Sequence, residues 1–169
     1  MDIEDNSVFR KERALARLSN KINDAFGFSE EQGYEGPRIN LGPCGPFAFD
    51  FLRVWNNLSR SPVHIVFVMK AKSDECWHIA IRLSNGKLFD GGIGIHNDKH
   101  YDSKDYYLED MTQLEMTLLE QRSYGLNRSY PRHCPNFDRD LMRKIIVEQL
   151  EWLFFRSEAS MSYFVTLRQ

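Results

Sequence analysis

Cys76-Trp77-His78-Ile79-Ala80-Ile81-Arg82-Leu83-Ser84-Asn85-Gly86-Lys87-Leu88-Phe89-Asp90 is the stretch that decides how this chain folds. Its first half alternates. His78, Ala80 and Arg82 fall on one face and Ile79, Ile81 and Leu83 on the other, which is the period of a strand. Ser84-Asn85-Gly86 marks a tight hairpin, because Asn-Gly accepts the positive φ that primed turns require. Lys87 to Asp90 is then the return strand, and Gly91, Gly92 and Gly94 mark the exit from it. A two-residue loop at Asn85-Gly86 sets Asp90 opposite Ile81 and His78 opposite Ile93. Contact between His78 and Asp90 then needs a bulge or a longer loop.

Upstream, Val63 to Met69 is a continuous β-branched and aromatic run, as expected of a strand buried on both faces. Before it, Gly42-Pro43-Cys44-Gly45-Pro46 opens a helix whose apolar stripe is Phe47, Phe51, Val54, Trp55 and Leu58. Proline suits a first helical turn, where its missing N–H has no partner to lose. That helix is expected to stop near Ser59 to Pro62. Ser29 to Pro43 is rich in Gly and Pro and reads as a long loop; long ordered loops tend to serve a site. Val8 to Phe26 reads as a helix through Val8, Leu15, Leu18, Ile22 and Phe26, with Ser7 as its cap and Gly27 as its end.

Downstream, Leu114, Leu118 and Leu119 predict a short helix between Asp110 and Tyr124, followed by a loop over Asn127 to Asn136. Asp138 to Arg156 carries Leu141, Ile145, Ile146, Leu153 and Phe154 at helical spacing. Met161 to Leu167 reads as a closing strand. There is no internal repeat and no low-complexity segment. The expected architecture is one α+β domain over residues 1–169: a helix bearing Cys44 on a small antiparallel sheet, with further N- and C-terminal helices.

Composition fits that size. The 169 residues are 42% hydrophobic and include 12 Phe, 7 Tyr and 3 Trp, and a chain of this length buries roughly 70% of the surface its unfolded form exposes. The formal net charge of −2 gives no general attraction to nucleic acid or anionic lipid. Three cysteines, an odd and sparse number, argue against a disulfide-stapled secreted scaffold. The acidic start Met1-Asp2-Ile3-Glu4-Asp5 lacks the basic and apolar regions of a signal peptide, and no stretch approaches the roughly 18 apolar residues of a membrane span. A cytoplasmic protein with no membrane association is expected.

The chemistry lies in three positions taken in order. Cys44 begins a helix, His78 lies near the start of a strand, and Asp90 ends the next one. A thiol becomes a good nucleophile as the thiolate, and helix N-termini and neighbouring imidazolium groups both favour that anion. A histidine in such a role needs a third group to fix its tautomer and orientation. The segments Gly42-Pro43-Cys44-Gly45-Pro46-Phe47-Ala48, Cys76 to Leu83 and Asn85 to Asp90 together resemble the core of papain-like cysteine enzymes. The similarity is to branches with Cys first, His on a strand and Asp on the next: transglutaminase-like, arylamine N-acetyltransferase-like and NlpC-type proteins and small phage and bacterial forms. It covers roughly Ile39 to Gly92. The resemblance implies a papain-like domain with nucleophile Cys44, general base and acid His78, and orienting residue Asp90. It also implies an oxyanion hole, for which Asn40 and the backbone N–H of Cys44 are the candidates.

On that reading the chain is a cysteine hydrolase of a peptide, isopeptide or other amide bond, using no metal or organic cofactor. Its expected partner is a protein or peptide substrate, with Trp77 and Tyr130 as candidate binding residues. An acyltransferase with the same triad, and a non-catalytic papain-fold binding or inhibitory protein, are the alternatives. Two metal readings compete. Cys76 and His78 with His133 and Cys134 offer two sulfurs and two nitrogens to zinc, although their spacing matches no common finger. His96, Asp98, His100 and Asp102 would line one side of an extended chain. The basic and aromatic run from Arg122 to His133 offers a nucleic-acid strip, but the near-neutral whole favours a wall of a substrate cleft or a surface loop.

Overall fold

In a computed structural model, residues 3–29, 35–72, 76–101, 104–112 and 137–166 are described. The chain opens with helix α1 (Ile3–Phe26), then two short paired strands, β1 (Phe28–Ser29) and β2 (Gly36–Pro37), and a 3-10 turn at Arg38–Asn40. Helix α2 (Cys44–Leu58) follows. Strands β3 (His64–Lys70), β4 (Cys76–Arg82), β5 (Leu88–Asp90) and β6 (Gly94–His96), a 3-10 turn at Asp98–His100 and strand β7 (Tyr106–Asp110) come next, and helix α3 (Arg139–Thr166) is last. Among the described residues this is an α+β arrangement of three α-helices, a two-stranded pair and a five-stranded sheet in the order β6-β5-β4-β3-β7, antiparallel throughout. No helix among them is long and apolar enough to cross a membrane.

The sheet buries both faces, unequally. Ile65, Phe67 and Met69 of β3, Ile79 and Ile81 of β4 and Phe89 of β5 join Leu15, Leu18 and Ile22 of α1, Phe47, Phe51 and Trp55 of α2, and Met142, Ile146 and Leu150 of α3 in one core. Each fully buried aliphatic or aromatic side chain there contributes about 1.5–3 kcal/mol. Phe51 stacks on Trp55 with ring centroids 5.4 Å apart, and Phe89 meets Phe51 at 5.2 Å, so the α2 stripe is keyed directly to β5. The opposite face carries Val66, Val68, Ala80 and Leu88 under Tyr101. The long β-branched run of β3 is thus explained: it is buried on both sides.

Several expectations are revised. Helix α1 begins at Ile3, so Ser7 lies within it and does not cap it. The stretch read as loop before Cys44 contains β1, β2 and a 3-10 turn. Strands β6 and β7 are additions. The closing strand at Met161 to Leu167 is replaced by α3, which runs through Thr166. No Gly or Pro interrupts residues 137–169, so the helix started by Asp138, whose Oδ1 accepts from Leu141 N–H at 2.9 Å, meets no breaker. The proposed helix beyond Thr112, the loop of 127–136, Tyr130, His133 and Cys134 lie outside the described residues.

The cysteine helix is clamped to α3 as well as packed on it. Asp50 of α2 is 1% exposed; its carboxylate accepts from Nε and Nη2 of Arg139 at 2.9 and 3.1 Å and from Nη2 of Arg143 at 3.1 Å. A carboxylate so placed needs such partners, because an isolated buried charge is costly.

Candidate active site

Cys44 is the first residue of α2, and Gly42 before it takes φ 128°, a left-handed-side conformation that an L side chain would strain. Pro43 is the N-cap and offers no side-chain bond, so the first-turn N–H groups of Cys44 and Gly45 are the donors this helix end presents. The Cys44 thiol is 3% exposed. Its Sγ lies 3.9 Å from the backbone oxygen of Gly42, and Cys44 is close enough to the His78 ring to raise the pKa of that imidazole.

His78 reaches this position beside a β-bulge. Val68 pairs with His78 but Met69 pairs with Cys76, so Trp77 is an extra residue in β4. Bulges re-aim neighbouring side chains. Nε2 of His78 lies 3.3 Å from Oδ2 of Asp90, so Nδ1 is the ring nitrogen that the carboxylate does not take. Both side chains are almost solvent-free, at 5% and 1%.

The β4–β5 connection departs from the two-residue loop and so decides the site. Leu83 N–H donates to Lys87 O, Gly86 N–H donates to Leu83 O, and Gly86 has φ 81°. This is a three-residue loop, a tight turn followed by a left-handed glycine. Ile81 therefore pairs with Phe89 and Arg82 with Leu88. Continued one step, that register puts Asp90 opposite Ala80 and on the face of His78. The two-residue register would have turned Asp90 to the other face, because a one-residue slip inverts every side chain.

Asp90 is held from all sides. Its Oδ1 accepts from the backbone N–H groups of Gly92 and Ile93 at 2.9 and 2.7 Å and from Nδ2 of Asn40 at 3.2 Å. Its Oδ2 takes His78 and also Nε2 of His96 at 3.0 Å. Helix α1 secures the same turn: Ser19 Oγ donates to the backbone oxygen of Asp90 at 3.1 Å, and Asn23 Nδ2 to that of Gly92 at 2.8 Å. The glycines allow close approach. A Cβ on Gly91 would sit 2.9 Å from the Phe47 ring, and one on Gly92 would sit 2.6 Å from Pro37 Cβ and 2.8 Å from Asn40 Nδ2.

The electrostatics follow from this packing. Burial alone would lower the pKa of His78, but the charge of Cys44, the hydrogen bond to Asp90 and the bond to Cys44 outweigh it and raise the value to about 10. Burial alone would raise Asp90; hydrogen bonds from His78 and His96, the His78 charge and the Ile93 N–H together hold it well below the usual carboxylate range. Cys76 is pushed well above the ordinary thiol range, chiefly by burial and secondarily by Cys44, against a weaker lowering by the His78 backbone; as a thiol it donates to His78 O at 3.3 Å. Cys76 is thus held as a neutral thiol beside the pair.

Cys44, His78 and Asp90 come together. Asn40 joins them, but with its Nδ2 on Asp90, where it serves the carboxylate; the Asn40 Oδ1 is left buried with no partner among the described residues. Trp77 is 48% exposed next to His78, 6.1 Å from the Tyr106 ring and with Lys70 Nζ 4.4 Å from its own centroid. The extended run assumed for His96, Asp98, His100 and Asp102 does not hold over residues 96–100, since β6 ends at His96 and a 3-10 turn takes 98–100; Asp102 lies outside the described residues. Among the described residues no group of three or more His, Cys, Asp or Glu is gathered for a metal.

Sequence reasoning missed His96, Ser19, Asn23 and Tyr101 as parts of this site. Ser19 and Asn23 carried a signal: they are polar residues four apart beside the buried Leu18 and Ile22, hence on one helix face. Comparison with protein-family models, with curated proteins and with solved structures finds no match to this chain.

Proposed function

We propose that this protein is a papain-like cysteine hydrolase that cleaves a peptide, isopeptide or other amide bond. The observation that carries the reading is His78 set between Cys44, whose charge raises the pKa of the ring, and Asp90, whose Oδ2 lies 3.3 Å from Nε2. Cys44 is the nucleophile and gives its thiol proton to His78. Cys44 Sγ attacks the carbonyl carbon, the C=O electron pair moves onto oxygen, and the N–H groups at the start of α2 face that oxyanion. Collapse of the intermediate breaks the C–N bond as His78 passes its proton to the leaving amine. His78, now neutral, takes a proton from water; the hydroxide attacks the thioester, the acid leaves and the thiolate is restored beside imidazolium. Asp90 holds the ring in one tautomer throughout. An amine in place of that water would make the same residues an acyltransferase. No step calls for a metal or organic cofactor.

Trp77 borders the site as an exposed aromatic surface suited to a substrate side chain. The test is capture of the acyl-enzyme. Native protein treated with an activated acyl ester should carry one acyl group on Cys44 by peptide mass spectrometry, and Cys44→Ala none. Acylation spread evenly over lysines, with Cys44 untouched, would contradict the reading.

A further inference from the structure

His96 belongs to neither the triad nor the metal site that its neighbours first suggested, yet its Nε2 is 3.0 Å from Asp90 Oδ2, closer than the 3.3 Å of His78 to the same oxygen. Its side chain is 9% exposed. Resting on the hydrolase reading above, we infer that His96 is a positioning residue of the site, a second imidazole that fixes Asp90 Oδ2 and keeps the carboxylate ionised for His78.

The carboxylate cannot meet the need by turning. Three donors, from Asn40, Gly92 and Ile93, already occupy Oδ1, so Oδ2 is the one oxygen presented to the rings. To donate there His96 must carry its proton on Nε2. Tyr101 then ties the two histidines into one block: its ring lies 5.4 Å from that of His96, edge-on, and 5.9 Å from that of His78. With His96 donating to the same oxygen, and three donors on the other, Asp90 is a weak base toward the proton of His78. Proton traffic therefore stays on the side of Cys44 and the substrate. Sheet topology serves this end, because β6 exists as a strand only through its pairing of Leu88 with His96 and Asp90 with Gly94.

The groups that face Asp90 and set its pH response are His78 from β4, His96 from β6 and Asn40 from the 3-10 turn, with Cys44 and Cys76 beyond His78 and Tyr101 over both rings. The test uses iodoacetamide alkylation of Cys44 in the full chain, followed by mass spectrometry from acid to neutral pH. His96→Phe keeps a ring against Tyr101 and removes the donor; His96→Gln keeps an N–H. Loss of the donor should slow alkylation about tenfold near pH 6 and move the acid limb of the profile upward, with His96→Gln recovering most of the rate. Equal slowing in both variants, or no slowing in either while His78→Ala is slow, overturns the role of His96 and leaves the triad standing. Wild-type alkylation rates in His78→Ala would instead remove the hydrolase reading on which the inference rests. A readout without variants is long-range 1H–15N NMR of the histidine rings. It should find the His96 proton on Nε2; a proton on Nδ1 alone overturns the inference whether or not His96→Phe folds.

Discussion

Nε2 of His78 and Oδ2 of Asp90 lie 3.3 Å apart on neighbouring strands, inside a pocket of the sheet from which water is nearly excluded. In such surroundings a charge-assisted bond is strong and its loss costly. Asp90→Asn puts an NH2 group where two ring N–H groups point, or else turns donors against the N–H groups of Gly92 and Ile93. Removing one partner of a buried pair typically costs about 3–5 kcal/mol. Chemical denaturation should show a loss of that order, together with Cys44 alkylation at pH 6 slowed at least about tenfold. A loss under about 1 kcal/mol would mean the carboxylate is not held as described.

Gly92 tests how closely the 3-10 turn must approach β5. Its missing side chain leaves room for Pro37 and Asn40, which a Cβ would meet at 2.6 and 2.8 Å. Gly92→Ala should therefore destabilise by about 1–3 kcal/mol through overpacking and push Asn40 off Asp90. The amide signals of Asn40 Nδ2 in a 1H–15N spectrum report the second effect directly. Unchanged stability and unchanged Asn40 signals would refute the close contact.

The ionisation of the site makes folding stability a function of pH. Asp90 is held below its ordinary value of 3.8, so its contribution is complete above that pH and is lost as pH falls. His78 is raised from 6.5 to about 10, so its contribution is complete below pH 6.5 and is lost as pH climbs toward 10. Cys76, raised above its ordinary 9.0, adds a further loss in alkali, where the unfolded thiol ionises and the folded one does not. Urea midpoints should peak between roughly pH 4 and 6.5. The decline above pH 6.5 should shrink in His78→Ala; a decline of equal size there would assign it to other groups.

The clamp between α2 and α3 makes an asymmetric prediction. Asp50 is buried, whereas Arg139 and Arg143 are 33% and 46% exposed at their side chains. Losing both arginines leaves a buried carboxylate alone, at about 3–5 kcal/mol. Losing the charge through Asp50→Asn leaves arginines that water can reach, so the cost should be smaller. Thermal or urea unfolding of Arg139→Ala/Arg143→Ala against Asp50→Asn gives the order, and the reverse order would show that the arginines do not serve Asp50.

Much of the site's order along the chain was legible. Gly42-Pro43 announced the start of the cysteine helix, the stripe from Phe47 to Leu58 gave its core face, and Asn85-Gly86 gave the hairpin. The register was not legible, because Asn-Gly suits both a two-residue turn and the three-residue loop that the φ of 81° at Gly86 closes. That one-residue difference decides which face Asp90 occupies. Strand β7 stayed hidden because Tyr106 to Asp110 is an edge strand of intermediate and exposed residues without apolar alternation. His96 was hidden for a related reason. Its partner is set by a glycine turn of three residues, and spacing alone made it look like one of four alternating ligands. At the C-terminus, the β-branched and aromatic run after Met161 read as a strand, and the uninterrupted helix from Arg139 overrode that local preference.

The measurement that bears most directly on the triad is the alkylation rate of each cysteine in native protein as a function of pH, resolved by mass spectrometry. Cys44 should react at pH 6 well ahead of Cys76, which burial holds as a thiol. His78→Ala should remove that advantage while the fold persists. Cys44 reacting no faster than Cys76, or only after unfolding, would contradict the account.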